Sequence, residues 1–190
     1  MPELPITIEN GAGERLTFLR RVPGVTGERV EGEARVAPGA GPPMHVHFLQ
    51  EECFAVVRGR IGCQRAGHPP EFAEAGATLR FPAGEPHRFW NAGEDELHCT
   101  AWIEPAGNVE FFLGALFASQ RASGGRRPSL FDIAWLCRRY RAEYAILAVP
   151  RPVQAVLFPL VVAVGSLLGR YAKYADAPAP LGGSVRGPGS

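Results

Sequence analysis

Two histidines and a pair of carboxylates stand close together in the segment PPMHVHFLQEECFAVVRGR, residues 42–60. His45 and His47 are two positions apart, so on a β-strand both side chains project from the same face. Two imidazoles that face the same way commonly share a metal ion, because neutral imidazole is the commonest metal ligand in proteins. The segment therefore predicts a metal site that needs further ligands from elsewhere in the chain.

Glu52 and His87 can supply a carboxylate and a third imidazole. Glu52 follows His47 by five positions, and this change of parity requires a turn or bulge at FLQE before the next strand. His87 follows Pro82 and Gly84 in the segment GATLRFPAGEPHRFWN, where these two residues predict a loop that presents His87 inward.

Three neutral imidazoles and one carboxylate form a donor set that suits a divalent transition metal. Fe, Mn, Ni, Cu, Co and Zn all accept such ligands, so the donor set does not select one of them. If the metal prefers six ligands, two positions stay open for water, O2 or a substrate that binds through two oxygens.

The elements that position these side chains lie in a strand-rich region from about residue 5 to residue 104. Short β-branched or aromatic runs such as RLTFLRRV, ECFAVV and ELHCTAWIE alternate with turn-like segments such as PGAGPP and NAGED. Strands at this regular spacing, with no helical stretch between them, predict a β-sandwich or barrel.

Two spaced patterns in this region resemble the paired motifs of the cupin superfamily. The first reads G-x5-H-x-H-x4-E-x6-G over residues 39–59, and the second reads G-x5-P-x-G-x2-H-x3-N over residues 76–91. The resemblance implies a mainly β fold over residues 1–105, the cupin jelly roll or double-layered β-barrel. It also implies that four residues hold a metal in the mouth of the barrel, namely His45, His47, Glu52 and His87.

Two adjacent carboxylates compete for one position in the first motif. The six-residue gap to Gly59 favours Glu52 and leaves Glu51 as a solvated or outer charge. Resemblance to quercetin dioxygenase-type cupins further implies that Glu52 acts as the catalytic base.

The strand pattern also predicts what lines a substrate pocket. Phe54 and Phe89 share strand parity with the ligands, and His98 is a further candidate, with a surface position on its strand as the alternative. Because the lining looks apolar, we expect an enzyme with dioxygenase-type chemistry on a small organic molecule. The alternatives are a cupin isomerase or decarboxylase, and a non-catalytic cupin that binds a small ligand or a metal.

The spacing of apolar residues changes after Pro105 from the alternation of strands to the period of a helix, and residues 106–175 predict a helical extension. NVEFFLGALFASQ predicts a helix that Asn108 caps. SLFDIAWLCRRYRAEYAILAV predicts a second, long helix that opens with Ser129 and Asp132 in a capping-box arrangement.

Residues 150–173 predict a third helix, with a kink near Pro159. Its apolar core, Val153 to Leu168, has 16 residues, whereas a bilayer span needs about 20. We expect this helix to be buried against the barrel or in a homodimer interface, with peripheral contact with a membrane surface and a span as the alternatives. The cupin resemblance and the surplus apolar surface of the helices imply a homodimer. The low-complexity tail, residues 176–190, predicts disorder.

Charge and cysteine usage indicate which partners and which cellular compartment to expect. The chain carries a formal net charge of +1, which gives no indication of a nucleic-acid partner. Residues 1–105 carry 10 basic and 15 acidic side chains, and residues 106–190 carry 10 and 4. The four widely spaced cysteines and an N-terminus without a signal-peptide pattern indicate free thiols and a cytoplasmic location.

Overall fold

The computed structural model describes residues 3–125 and 127–181. In chain order the elements are β1 (Ile6–Glu9), β2 (Glu14–Pro23), β3 (Glu28–Val36), β4 (His45–His47), β5 (Glu51–Arg58), β6 (Arg60–Arg65), β7 (Glu71–Glu74), β8 (Thr78–Phe81), β9 (His87–Asn91), β10 (Leu97–Glu104), α1 (Val109–Ala122), α2 (Leu130–Arg139), β11 (Tyr144–Ile146) and α3 (Arg151–Leu167). A short 3-10 helix, Ala172–Tyr174, follows α3.

The strands form two antiparallel sheets. Six strands make one sheet in the order β1-β2-β3-β10-β5-β8, and five make the other in the order β11-β4-β9-β6-β7. Three helices follow the tenth strand. The predicted mainly β fold with a C-terminal helical extension is confirmed.

The interior between the sheets is apolar because alternate strand residues point inward. Phe54 and Val56 of β5 are buried there with Ile61 and Phe81. Gly62 leaves room for the Trp90 ring, since a Cβ at position 62 would lie 2.4 Å from that ring. A second apolar cluster joins β2 and β3 to α1 and α2.

The second predicted helix is wrong in its C-terminal half. α2 ends at Arg139, and Tyr144, Ala145 and Ile146 instead pair with β4 as strand β11. The four-residue spacing of Tyr140 and Tyr144 led to the prediction of a longer helix. Both side chains are buried in the apolar cluster beneath α1, and this burial explains the spacing. Strand β11 of the extension therefore completes the edge of a barrel sheet, so residues beyond 105 form part of the barrel.

The predicted caps occupy the right positions but bond differently. Asn108 and Ser129 precede their helices, yet neither side chain caps its helix. Asn108 Nδ2 donates instead to Glu143 Oε1 and to the carbonyl oxygen of Ala179, both at 2.9 Å. These two bonds fix the orientation of the Asn108 amide, and its Oδ1 does not accept from the free N–H groups at the start of α1.

The segment expected to be disordered, 176–190, is ordered over its first part. The Leu181 amide donates to Glu143 Oε1 at 2.8 Å, and the Tyr140 hydroxyl donates to the carbonyl of Pro178 at 2.9 Å. These buried partners compensate for the low-complexity composition of the segment. Residues 182–190 lie outside the described residues.

Helix α3 packs on α2 through Phe158, Val161 and Val162, and runs continuously through Pro159. Across residues 3–125 and 127–181, no helix combines the length and the apolar character that crossing a bilayer requires.

Candidate metal centre

The first two ligands lie on β4, and the third lies on β5 in the opposite sheet. Residues 48–50, which the change of parity marked as a turn, carry the chain from one sheet to the other. Gln50 within this crossing is fully buried. Because the two sheets face each other, the crossing brings Glu52 round towards His45 and His47.

His87 begins β9, directly opposite His45 in the β4–β9 pair. The loop before it is tied to β4, since the Gly84 amide donates to the His47 carbonyl at 2.7 Å. Asn91 at the other end of β9 donates from Nδ2 to the carbonyls of Val36 and Asp95, each at 2.7 Å. These bonds fix both ends of the strand that presents His87.

The structure brings together all four predicted ligands. One ligand atom from each of His45, His47, Glu52 and His87 can be chosen so that all lie within 4.8 Å of one another. His47, Glu52 and His87 are buried, and His45 is partly exposed. Glu51 lies away from the cluster and pairs with Arg80 at 3.3 Å, so Glu52 is the carboxylate at this site.

Hydrogen bonds orient two of the imidazoles. His45 Nδ1 lies 2.9 Å from the Pro43 carbonyl, and His87 Nδ1 lies 2.8 Å from the Glu85 carbonyl. Each carbonyl selects the tautomer with the proton on Nδ1, which leaves the Nε2 lone pair available to a metal.

The remaining contacts show that the residues fit a bound cation. His87 Nε2 lies 2.9 Å from Glu52 Oε2, so this ring faces an acceptor on both sides, although neutral imidazole has a single N–H. His47 Nδ1 is buried and finds no hydrogen-bond partner among the described residues. A cation shared by the His87 nitrogen and the Glu52 carboxylate satisfies both groups.

The protonation states of His45, His47 and Glu52 also suit a bound cation. Burial, reinforced by the neighbouring His47, lowers the pKa of His45 to about 3, and burial also lowers the pKa of His47. Burial alone would raise the pKa of Glu52, but the neighbouring imidazoles of His47 and His87 outweigh it and lower that pKa to about 2. At neutral pH the site offers uncharged imidazoles at positions 45 and 47 beside an ionised carboxylate.

Three residues of the cluster, His45, His47 and Glu52, form part of the wall of an apolar cavity of about 140 Å³. Phe54 and Phe89, both predicted to line a pocket, do line this cavity, with ring centroids 4.4 Å apart. His98 does not: its Nε2 lies 3.1 Å from Glu33 Oε2 on the neighbouring strand, and it is absent from the lining. The prediction of His98 as a pocket residue is therefore wrong: its neighbours Leu97 and Cys99 are buried, and strand alternation turns His98 to the opposite face of the sheet.

Two parts of the cavity wall come from the extension and were not predicted. Helix α1 contributes a row of apolar side chains at helical spacing: Val109, Phe112, Leu113, Leu116 and Phe117. The helical spacing of these apolar residues is visible in the sequence and predicts that one face of α1 is buried. It does not indicate that this face covers the barrel cavity. The extension thus closes the barrel on the side that α1 covers.

Strand β11 supplies the other unpredicted wall, next to the ligands themselves. Tyr144 is the cross-strand neighbour of His47, and the two rings meet edge to face with centroids 5.4 Å apart. Gln50 Nε2 donates to the Tyr144 hydroxyl at 3.2 Å. Burial raises the pKa of Tyr144 well above its ordinary value, so its hydroxyl stays protonated. The Tyr144 ring of the extension therefore packs against His47, and Gln50 holds the Tyr144 hydroxyl.

The fold and the ligand cluster together define the class of this domain. Residues 32–103 match the family model described as the Cupin domain, so the chain contains a cupin domain, as the paired motifs predict.

Three individual proteins similar to this chain share between 22% and 31% sequence identity with it. The chain is 31% identical over 119 residues to the probable oxidoreductase virH of Hypocrea virens, covering 58% of this chain and 52% of that protein. It is also 31% identical over 102 residues to the oxidoreductase iacF of Pestalotiopsis fici, covering 49% and 50%. The chain thus spans about half the length of the curated relatives it matches. A solved Cupin 2 conserved barrel domain protein from Salinispora arenicola superposes with a TM-score of 0.44, 22% identity, and 56% and 90% coverage.

Proposed function

We propose that this chain is a metal-dependent oxidoreductase that performs dioxygenase-type chemistry on a small, largely apolar organic molecule. The observation that carries the proposal is the clustering of three imidazoles and one carboxylate, within 4.8 Å of one another, beside an apolar cavity whose wall includes three of the four residues. Similarity to two proteins named as oxidoreductases supports the same class of reaction.

The residues that would hold the metal are His45, His47, Glu52 and His87. A divalent transition metal bound by them supplies Lewis acidity and open coordination positions for the reactants. Of these four residues, Glu52 can also act on a substrate directly. Its carboxylate is ionised and belongs to the cavity wall, so it can accept a proton from a substrate hydroxyl.

The cavity walls select and protect the substrate. Phe54 and Phe89 lie on the barrel side, and Phe112 lies on the α1 side. Such walls bury the apolar body of a ligand and exclude water from the reacting atoms. This favours an aromatic or aliphatic substrate with adjacent oxygens, such as a phenol or an enol, over a sugar or a phosphate ester.

Metal analysis of the full chain, purified without chelator, tests the first requirement. We expect about one equivalent of a transition metal in the wild type and a loss of more than tenfold in metal affinity in His47→Ala. His68→Ala is the matched control, since His68 is an exposed loop residue that bonds to a carbonyl of its own turn. A wild type with well under one equivalent would refute the proposal.

Oxygen uptake tests the reaction. Catechol-like and flavonol-like compounds should consume O2 with the wild type and with His68→Ala, and not with His47→Ala. A metal-loaded protein that converts such compounds without consuming O2 would instead be an isomerase or a decarboxylase. Binding without conversion would identify a non-catalytic cupin.

A further inference from the structure

Helix α3 exposes an apolar face that the rest of the described chain does not cover. The α3 apolar face consists of seven side chains that are between 38% and 90% exposed: Val153, Val156, Leu157, Leu160, Val164, Leu167 and Leu168. Their spacing follows the helical period, so they lie along one side of the helix. Scattered exposed apolar residues are ordinary, but a contiguous row of this length marks an interaction surface.

The opposite side of α3 is fixed to the protein. Phe158, Val161 and Val162 pack against α2, and Gly165 lies under the Tyr171 ring. Gln154 Nε2 donates to the carbonyls of Ile146 and Val149, at 2.8 and 2.7 Å. The apolar face is therefore held outward by a well-packed helix.

The charges of the helical extension favour an anionic partner. Over residues 106–125 and 127–181, seven cationic side chains are exposed: Arg121, Arg127, Arg138, Arg141, Arg151, Arg170 and Lys173. The exposed carboxylate of the same ranges is Asp176 alone, because Glu110, Asp132 and Glu143 are buried. Lys173 is neutralised by Asp132 at 2.8 Å, which leaves the surface of the extension strongly positive.

Cations stand at both ends of α3, and α3 itself carries no carboxylate. Arg151 is its first residue, and Arg170 follows its last residue by three positions. If two copies paired through this face, Arg151 would meet either Arg170 or Arg151 of the second copy, depending on the direction of pairing. Both arrangements place like charges together, which disfavours self-association and favours an anionic partner.

We propose that the α3 apolar face binds the surface of an anionic lipid membrane. The helix is about 25 Å long and lies in the plane of the interface. Its aliphatic side chains enter the boundary between headgroups and acyl chains, and the flanking arginines contact lipid phosphates. This inference is independent of the metal centre, which lies in the barrel.

Flotation of the full chain with vesicles tests the proposal. We expect flotation with vesicles of equal parts phosphatidylcholine and phosphatidylserine, little flotation with phosphatidylcholine alone, and weaker binding in high salt. Val156→Asp combined with Leu160→Asp should abolish binding. Arg151→Gln and Arg170→Gln should each lower the partition coefficient about fivefold.

Leu19→Asp is the matched control, because Leu19 is 42% exposed on β2 and receives the same chemical change outside the face. It should float like the wild type, and every variant should keep the wild-type melting temperature and metal content. Equal binding to neutral vesicles, no binding to either vesicle, or full binding by the double aspartate variant would overturn the proposal. A wild-type dimer that the double variant dissociates, without vesicle binding, would show that a second copy covers the face.

Discussion

Glu14 on β2 is an ionisable residue in the cavity wall and is not one of the four predicted metal ligands. Burial raises its pKa from 4.5 to about 7, against the opposing effect of a hydrogen bond from Asn10 Nδ2 at 2.5 Å. A raised pKa means that the folded protein prefers the neutral acid. The stability that Glu14 contributes is therefore complete below pH 4.5 and is lost as the pH rises through about 7.

The size of this effect follows from the two pKa values. Between pH 5 and pH 8 a change from 4.5 to about 7 costs at most about 2.5 kcal/mol, and partial exposure of the side chain reduces this to about 1–2 kcal/mol. Glu14→Gln keeps an oxygen that accepts from Asn10 and removes the titration. At pH 5 the free energy of unfolding of the variant should match that of the wild type within a few tenths of a kcal/mol. At pH 8 it should exceed the wild-type value by about 1–2 kcal/mol.

Urea denaturation of both proteins at pH 5 and pH 8 measures the difference directly. Other titrating groups cancel because they occur in both proteins. A stability difference between the two proteins that is the same at both pH values would refute the assignment of a neutral Glu14, as would a variant less stable at pH 8.

Three further outcomes are expected. Phe112→Ala, in the α1 wall of the cavity, should lower the free energy of unfolding by about 3 kcal/mol in urea, and an unchanged value would mean that α1 does not close the barrel. Burial raises the pKa of Asp132, but Lys173 and Ser119 outweigh it and lower that pKa below 3.8, so Asp132 stabilises the fold above its unfolded pKa. Asp132→Asn should cost about 2 kcal/mol at pH 7, and the cost should shrink as the pH falls from 3.8 through the lower folded pKa. The Cys99 thiol, with its pKa raised to about 12 by burial, should resist Ellman's reagent at pH 8 until the protein is denatured, and rapid native reaction would contradict its burial.

The four clustered residues were predictable because the motifs combine residue type, spacing and turn chemistry. His45 and His47 share a strand face in any register, and the change of parity before Glu52 required an interruption, which is the crossing between sheets. The choice of Glu52 over Glu51 also followed from spacing, since one residue of shift turns a side chain to the opposite face.

The extension was predictable as helix but not in its contribution to the barrel. Tyr140 and Tyr144 are four residues apart, a spacing that fits a helix, yet strand β11 begins at Tyr144. β11 is three residues long, and its pairing partner lies about 100 positions earlier in the chain, so no local pattern reveals it. The prediction for His98 failed because the sequence alone does not show which face of β10 points inward; Leu97 and Cys99 take that face, and His98 takes the other.

The late pairing of β11 with β4 has a consequence for the order of folding during synthesis. Tyr144 lies 40 positions beyond the end of β10 at Glu104, so the ribosome releases every other strand of the barrel before this one. Until then the strand that carries His45 and His47 has an open edge in the nascent polypeptide. Closure of that edge is therefore a late event, and a translation product that stops before residue 144 lacks the strand that pairs with the one carrying His45 and His47.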